Sequence, residues 1–243
     1  MNLEEITWMQ ARETLAQSDL LIIPLGATET YGPHLAMGSE KIIGDYVGSV
    51  LGERLAALVT PTIPITCSGN LDRFPGNLYV SPATLKAYLA DICECGVRWG
   101  VKRIFFLNIH GPNLATIEEL SRELMWRGIR CAQIDFWRFM LRQAGDLLKG
   151  GEHAAGHASE MAADCMLALR PELVRQEKYE SITPRRTLAA DYPDVMMYFP
   201  WHEITPTGHT GDPSPATAEA GRVLLGRTID RLVKFLEEWQ AGE

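Results

Sequence analysis

The segment Glu29-Thr30-Tyr31-Gly32-Pro33-His34, a further carboxylate at Glu40 and the distant run Asn108-Ile109-His110 are the residues of this chain best suited to chemistry. Zinc- and manganese-type cations take carboxylate and imidazole ligands, and three protein groups plus a water leave an open catalytic position. Glu29, Glu40 and His110 supply such a set. A metal so held brings the pKa of its bound water towards about 7, which yields hydroxide at neutral pH for attack on a polarised carbonyl. Glu40 also has a plain structural reading, because a carboxylate at the expected start of a helix interacts favourably with the helix dipole. A second cluster runs from Glu152 to Glu160, with His153, His157 and Ser159 among small residues. In a helix His157 and Glu160, three apart, share a face, and Ala154, Ala155, Gly156 and Ala158 let a backbone approach a ligand closely. The alternative is a solvated helix start.

Weaker candidates surround these. His34 either lines the pocket or hydrogen-bonds its own loop, while Trp137, Tyr198, Trp201 and His202 form either a substrate-facing wall or packing and subunit contacts. His209, beside Gly211-Asp212-Pro213, reads as a turn residue, and His153 as solvated.

The elements that must bring such distant residues together are legible as alternating apolar runs and helical patterns, the mark of βα units around a mostly parallel sheet. Leu20–Leu25 is a continuous apolar run ending at Gly26, which suits a central strand. Ile43, Val47, Val50, Leu51, Leu55 and Leu58 recur at helical spacing after Lys41. Leu58–Ile65, with Pro61 and Pro64, predicts an edge-like strand. Ser81-Pro82 predicts a capped helix start, Arg103–Ile109 a second buried strand, Leu114–Leu124 a helix, Cys131–Asp135 a strand and His157–Leu169 a helix. Residues 175–211 lack periodicity and are rich in Pro, Tyr and Met, which predicts a functional or oligomer-facing loop. Ser214-Pro215 opens the last helix. Ligands bind beyond the carboxyl ends of such sheets, so Glu29 and His110 are expected to converge there.

A chain of 243 residues without an evident linker predicts one domain spanning 1–243. The net charge of −8 is spread along the chain without a basic run, which argues against nucleic acid and against an electrostatic membrane anchor. The start is acidic, and no apolar run approaches the roughly 18 residues of a membrane span, so a cytoplasmic protein is expected. Five cysteines with no CxxC pair read as reduced packing residues.

Leu25-Gly26-Ala27-Thr28-Glu29-Thr30-Tyr31-Gly32-Pro33-His34-Leu35-Ala36-Met37-Gly38-Ser39-Glu40 resembles the signature of the creatininase (creatinine amidohydrolase) family, G-S-T-E-Q-H-G-P-H-L-P-L-G-T-D. Phe74-Pro75-Gly76-Asn77 resembles its F-P-G-T block, Asn108-Ile109-His110-Gly111-Pro112-Asn113 its N-G-H-G-G-N, Gly156-His157-Ala158-Ser159-Glu160 its G-H-A-G-E, and Gly211-Asp212-Pro213 its G-D-P, so the likeness covers nearly the whole chain. The resemblance implies a three-layer α/β/α sandwich with a mostly parallel sheet, commonly a homohexamer. It also implies a centre of one or two metal ions, zinc or manganese with iron a further option, that hydrolyses small cyclic amides or related C–N bonds.

By position the resemblance makes Glu29, Glu40 and His110 ligands of the better-defined ion and Glu160 a ligand of a second. It makes His157 the proton-transfer group, an imidazole whose ordinary pKa near 6.5 suits acid–base work. His34, Asn113 and Trp201 are assigned to the substrate. The chain departs from the pattern at Tyr31, where a histidine ligand of the second ion is expected; at Glu40, where an aspartate usually bridges; and at Pro112. One ion is therefore expected and a second left open, with Tyr31 either an oxyanion donor or a weak ligand. Creatininase itself carries a carboxylate ligand at the loop position of Pro112, which argues against creatinine as substrate. Two alternatives remain, hydrolysis of a cyclic ketone's C–C bond and a non-catalytic ligand-binding homologue.

Overall fold

The computed structural model describes residues 1–192 and 194–242, and of Glu152 the main chain only. Four strands, β1 (Leu20–Leu25), β2 (Leu58–Val59), β3 (Arg103–Asn108) and β4 (Arg130–Gln133), form a parallel sheet in the order β2-β1-β3-β4. Every residue of β1 is buried because both faces of the sheet are covered, which is what its unbroken apolar run requires.

Side chains alternate along the strands. Leu20, Ile22, Phe105 and Leu107 face a layer built from α2 (Ser39–Arg54), α5 (Phe136–Ala144), α6 (Glu160–Leu169) and α7 (Ala218–Gly242). Leu21, Ile23, Leu25, Ile104 and Phe106 face α1 (Trp8–Leu15), α3 (Pro82–Arg98) and α4 (Leu114–Trp126). This is the three-layer α/β/α sandwich. Among the described residues no helix is long and apolar enough to cross a membrane.

The expected elements are present with four corrections, the first being that α2 ends at Arg54 and leaves Leu58, expected at the end of that helix, to β2. The edge strand is two residues long, and beyond it Ile63 returns to β1 as a single bridge to Leu25, since Pro61 and Pro64 cannot donate to a ladder. Helix α6 begins at Glu160, not at His157, because Ala158 takes a left-handed backbone (φ 55°) that ends any helical path through it. His157 and Glu160 therefore do not share a helix face. Helix α7 starts at Ala218, where the Thr217 hydroxyl accepts the Ala220 amide, later than Ser214-Pro215 suggests. Helices α1 and α5 were not expected, being short segments capped by Thr7 and Asp135. Among its described residues the stretch 175–211 holds single 3-10 turns at Gln176–Lys178, Leu188–Ala190 and Trp201–Glu203 and one isolated bridge, Ile182 to Gly211.

Two features position the site. Leu25 pairs with Asn108, so the carboxyl ends of β1 and β3 lie side by side, while the crossover helices α2 and α3 sit on opposite faces. Loops leaving at such a switch point open a crevice. At Gly26 a Cβ would fall 2.9 Å from main-chain atoms of both Glu40 and Lys41, so the end of β1 rests directly on the first turn of α2.

Candidate metal centre

Glu29 follows β1, Glu40 stands in the first turn of α2, and His110 follows β3. All three are buried, at 1%, 2% and 3% exposure, and one ligand atom from each lies within 4.8 Å of the others. His110 Nδ1 is 3.1 Å from Glu40 Oε2 and 3.4 Å from Glu29 Oε1. Residues seventy positions apart in the chain thus converge as expected.

A second ring of hydrogen bonds fixes the imidazole. His110 Nε2 donates to the Cys67 carbonyl at 3.0 Å, because a carbonyl can only accept. The Cys67 amide donates to Asn113 Oδ1, Asn113 Nδ2 donates to Asn108 Oδ1, and Asn108 Nδ2 donates to the His110 carbonyl. In its neutral form the ring therefore turns the Nδ1 lone pair towards the two carboxylates, the arrangement of a metal-ligating histidine with an orienting carbonyl behind it. Asn113, expected to touch substrate, is fully buried in this scaffold and does not line the pocket.

Glu29 Oε2 and Glu40 Oε2 are buried without a hydrogen-bond partner. Two desolvated carboxylates beside an imidazole lone pair are costly unless a cation joins them, so the donor set fits a divalent metal. The proton is the competitor. Burial pushes His110 down, yet the charges of Glu40 and Glu29 outweigh it and hold its pKa well above the usual imidazole range. Burial also raises Glu40, opposed by His110. Metal uptake must then release that proton and tighten as pH rises.

Tyr31 is buried, and its hydroxyl donates to Glu40 Oε1 at 2.9 Å. Burial first, then the charges of Glu40 and Glu29, raise its pKa well above the ordinary phenol value, so it stays a neutral donor. Glu160 stands apart from the three ligands: its two oxygens accept the amides of Lys149 and Gly150 at 2.7 and 2.6 Å. His157 Nε2 donates to the Thr30 carbonyl at 2.8 Å and lies 3.8 Å from Glu29 Oε1, with its ring edge-on to Tyr31 and Trp201.

Glu29, Glu40, His110, Tyr31 and His157 line a cavity of about 250 Å³, whereas Glu160 does not. Trp137, Trp201, Leu71, Pro112 and Met161 complete its apolar wall, Asn70 adds an amide, and no Lys or Arg is among its lining residues. His34 is absent from that wall. It is buried behind it and donates from Nε2 to the Ala158 carbonyl at 2.8 Å. Tyr198 is 85% exposed and His202 also faces outward, so of the four residues considered for a substrate wall, Trp137 and Trp201 line the cavity. Sequence reasoning missed the carbonyls of Cys67 and Thr30, since a main-chain acceptor leaves no mark on residue type.

The family model described as creatinine amidohydrolase matches residues 4–236. The chain belongs to the creatininase family. Creatininase-family relatives include the mycofactocin precursor peptide peptidase of Mycobacterium ulcerans (strain Agy99), 26% identical over 231 residues and covering 91% of this chain and 86% of its own. The creatinine amidohydrolase of Pseudomonas putida is 27% identical over 235 residues, covering 90% of this chain and 86% of its own. A solved structure described as creatininase Mn superposes with a TM-score of 0.82 at 22% identity, covering 99% of both chains. Membership makes this protein a metal-dependent hydrolase of the amidohydrolase type.

Proposed function

We propose that this protein hydrolyses a C–N bond of a small polar, cyclic amide, with one divalent ion held by Glu29, Glu40 and His110. The observation that carries the reading is the meeting of three buried ligand groups, with one oxygen of each carboxylate lacking a hydrogen-bond partner, against an apolar cavity. Zinc or manganese in that position supplies water ionised near neutral pH and polarises a carbonyl.

The chain's own groups do the rest. His157 keeps its Nε2 proton on the Thr30 carbonyl, which leaves Nδ1 as the basic nitrogen of the neutral ring, suited to carry a proton to the leaving amine. Trp137 and Trp201 offer flat apolar faces to a planar ring and keep water out. A lining without Lys or Arg disfavours an anionic substrate.

Tyr31 acts through Glu40 rather than as an oxyanion donor or an ion ligand, because its single proton is already given to Glu40 Oε1. That hydrogen bond, and the commitment of both Glu160 oxygens to backbone amides, supports one ion per chain rather than two.

Elemental analysis of the purified protein tests this. We expect about one zinc or manganese per chain, turnover lost on chelation and restored on repletion; below about a tenth of an ion, with no gain on repletion, the proposal loses its nucleophile. Tyr31→Phe should weaken metal binding by about 10–100-fold at an unchanged ion count. A screen over lactams, cyclic imides and short peptides spans the bonds named for the two curated relatives and reads out the substrate class.

The same reading makes the chain a homo-oligomer, a hexamer by resemblance. Leu188, Tyr192, Met196 and Tyr198 are exposed close together along the irregular segment, which supports a subunit contact there. Light scattering on the intact protein gives the mass, and Met196→Asp with Tyr198→Asp should release protomers; an unchanged mass puts the contact elsewhere.

A further inference from the structure

The turn that carries His157 adopts a conformation its residues disfavour. Ala158 lies in the left-handed region, φ 55°, where a Cβ crowds the following carbonyl. Among the described residues Ala56 is the one other non-glycine with a positive φ. A strained alanine beside a pocket persists where its surroundings hold it, and here two holds are visible. On one side Thr210 brackets His157: its hydroxyl accepts the His157 amide at 3.1 Å and its own amide donates to the His157 carbonyl at 2.9 Å. On the other side His34 Nε2 donates to the Ala158 carbonyl.

His34 is built for that one bond. It is 0% exposed, and its second nitrogen, Nδ1, has no hydrogen-bond partner. Its ring packs edge-on against Tyr179 at 5.3 Å and His209 at 4.9 Å. At Gly32 a Cβ would fall 2.8 Å from His34 Cε1 and 2.9 Å from His209 Nδ1, so the preceding turn gives up its side chain to make room for the ring. Burial lowers the His34 pKa to about 4, which keeps the imidazole neutral and limited to a single N–H at working pH.

We infer that His34 is a positioning residue: through the Ala158 carbonyl it holds the left-handed turn that presents His157 to the cavity. Its effect on turnover rests on the proposed proton-transfer role of His157, whereas its effect on the turn does not.

Three variants of the metal-loaded protein separate the possibilities: His34→Leu, which removes the donor at similar volume; His34→Gln, whose amide nitrogen reaches near the Nε2 position; and His34→Leu with Ala158→Gly. The primary readout is the rate at which diethyl pyrocarbonate modifies His157, followed by peptide mass spectrometry. It is read beside metal content, kcat and KM on the best substrate of the screen. His34→Leu should raise His157 modification severalfold and lower kcat by about 100-fold, the scale of a misplacement near 1 Å, with KM and metal content little changed. His34→Gln should recover most of both. Ala158→Gly should recover both in the His34→Leu background, because glycine adopts a positive φ without the Cβ penalty.

Modification and kcat at wild-type values in His34→Leu overturn the inference, and so does a loss that Ala158→Gly leaves untouched. A changed modification rate with unchanged kcat leaves His34 in place and removes the role of His157. Should His34→Leu fail to accumulate as folded protein, recovery of folded protein by Ala158→Gly is the expected result, and its failure counts against the inference.

Discussion

Glu40→Gln should make the metal-free protein more stable and the enzyme far slower. Without metal, the carboxylates of Glu29 and Glu40 lie against one imidazole in a dry site, where burial disfavours the charge of Glu40. Glutamine at position 40 removes that charge and keeps an acceptor for the Tyr31 hydroxyl, so Glu29 and His110 become a matched pair. Neutralising one of two crowded buried carboxylates removes its desolvation penalty, which should appear as a higher melting temperature in chelator. The ion loses an anionic ligand at the same time. Wild-type protein at a thousandfold excess of metal over Kd gains about 4 kcal/mol from binding, and most of that gain should vanish in the variant. Turnover should fall by about 100- to 1,000-fold, the usual worth of one electrostatic stabiliser of a developing charge. Melting curves with and without metal check both signs together. A variant that is less stable in chelator yet still binds metal would mean that the three residues form a structural polar cluster.

The second large effect is expected at His157. His157→Gln should lower kcat by about 100- to 10,000-fold, the usual worth of a positioned acid–base group, with metal content unchanged. The two readouts part because His157 lies outside the ligand set, 3.8 Å from Glu29 Oε1 and bonded to the Thr30 carbonyl, which a glutamine amide can still reach. The loss should be smallest for amides whose leaving nitrogen departs without a proton. Equal losses across good and poor leaving groups would argue against proton transfer, and loss of metal would make His157 a ligand.

How much of this was legible in the sequence depends on what kind of signal carried it. The buried strands announced themselves, because Leu20–Leu25 and Arg103–Asn108 have neighbours on both faces and so need apolar residues throughout. The rule that ligands gather beyond strand ends then brought Glu29, Glu40 and His110 together. Helix α6 was misplaced by three residues because Ala158, an ordinary helix former, is held left-handed by partners from other parts of the chain. That same displacement separated His157 from Glu160. Asn113 and His34 were assigned to the substrate, yet each is buried behind the cavity, Asn113 between the Cys67 amide and the Asn108 side chain and His34 on the Ala158 carbonyl. Tyr31 stood out as a departure from the family pattern, and its geometry now gives a reason: the hydroxyl occupies Glu40 Oε1, an oxygen otherwise open to a second cation.

The absence of a side chain at Gly26 has one more consequence. With the end of β1 in contact with the first turn of α2, the backbones that bear Glu29 and Glu40 are spaced by steric contact between two buried elements and owe nothing to the ion. We expect such a cage to form before loading. The cofactor should therefore exchange without unfolding the chain, unlike in zinc fingers, where the metal supplies the folding energy itself. Stripped protein should keep its circular dichroism spectrum and take up a different divalent ion within one dialysis.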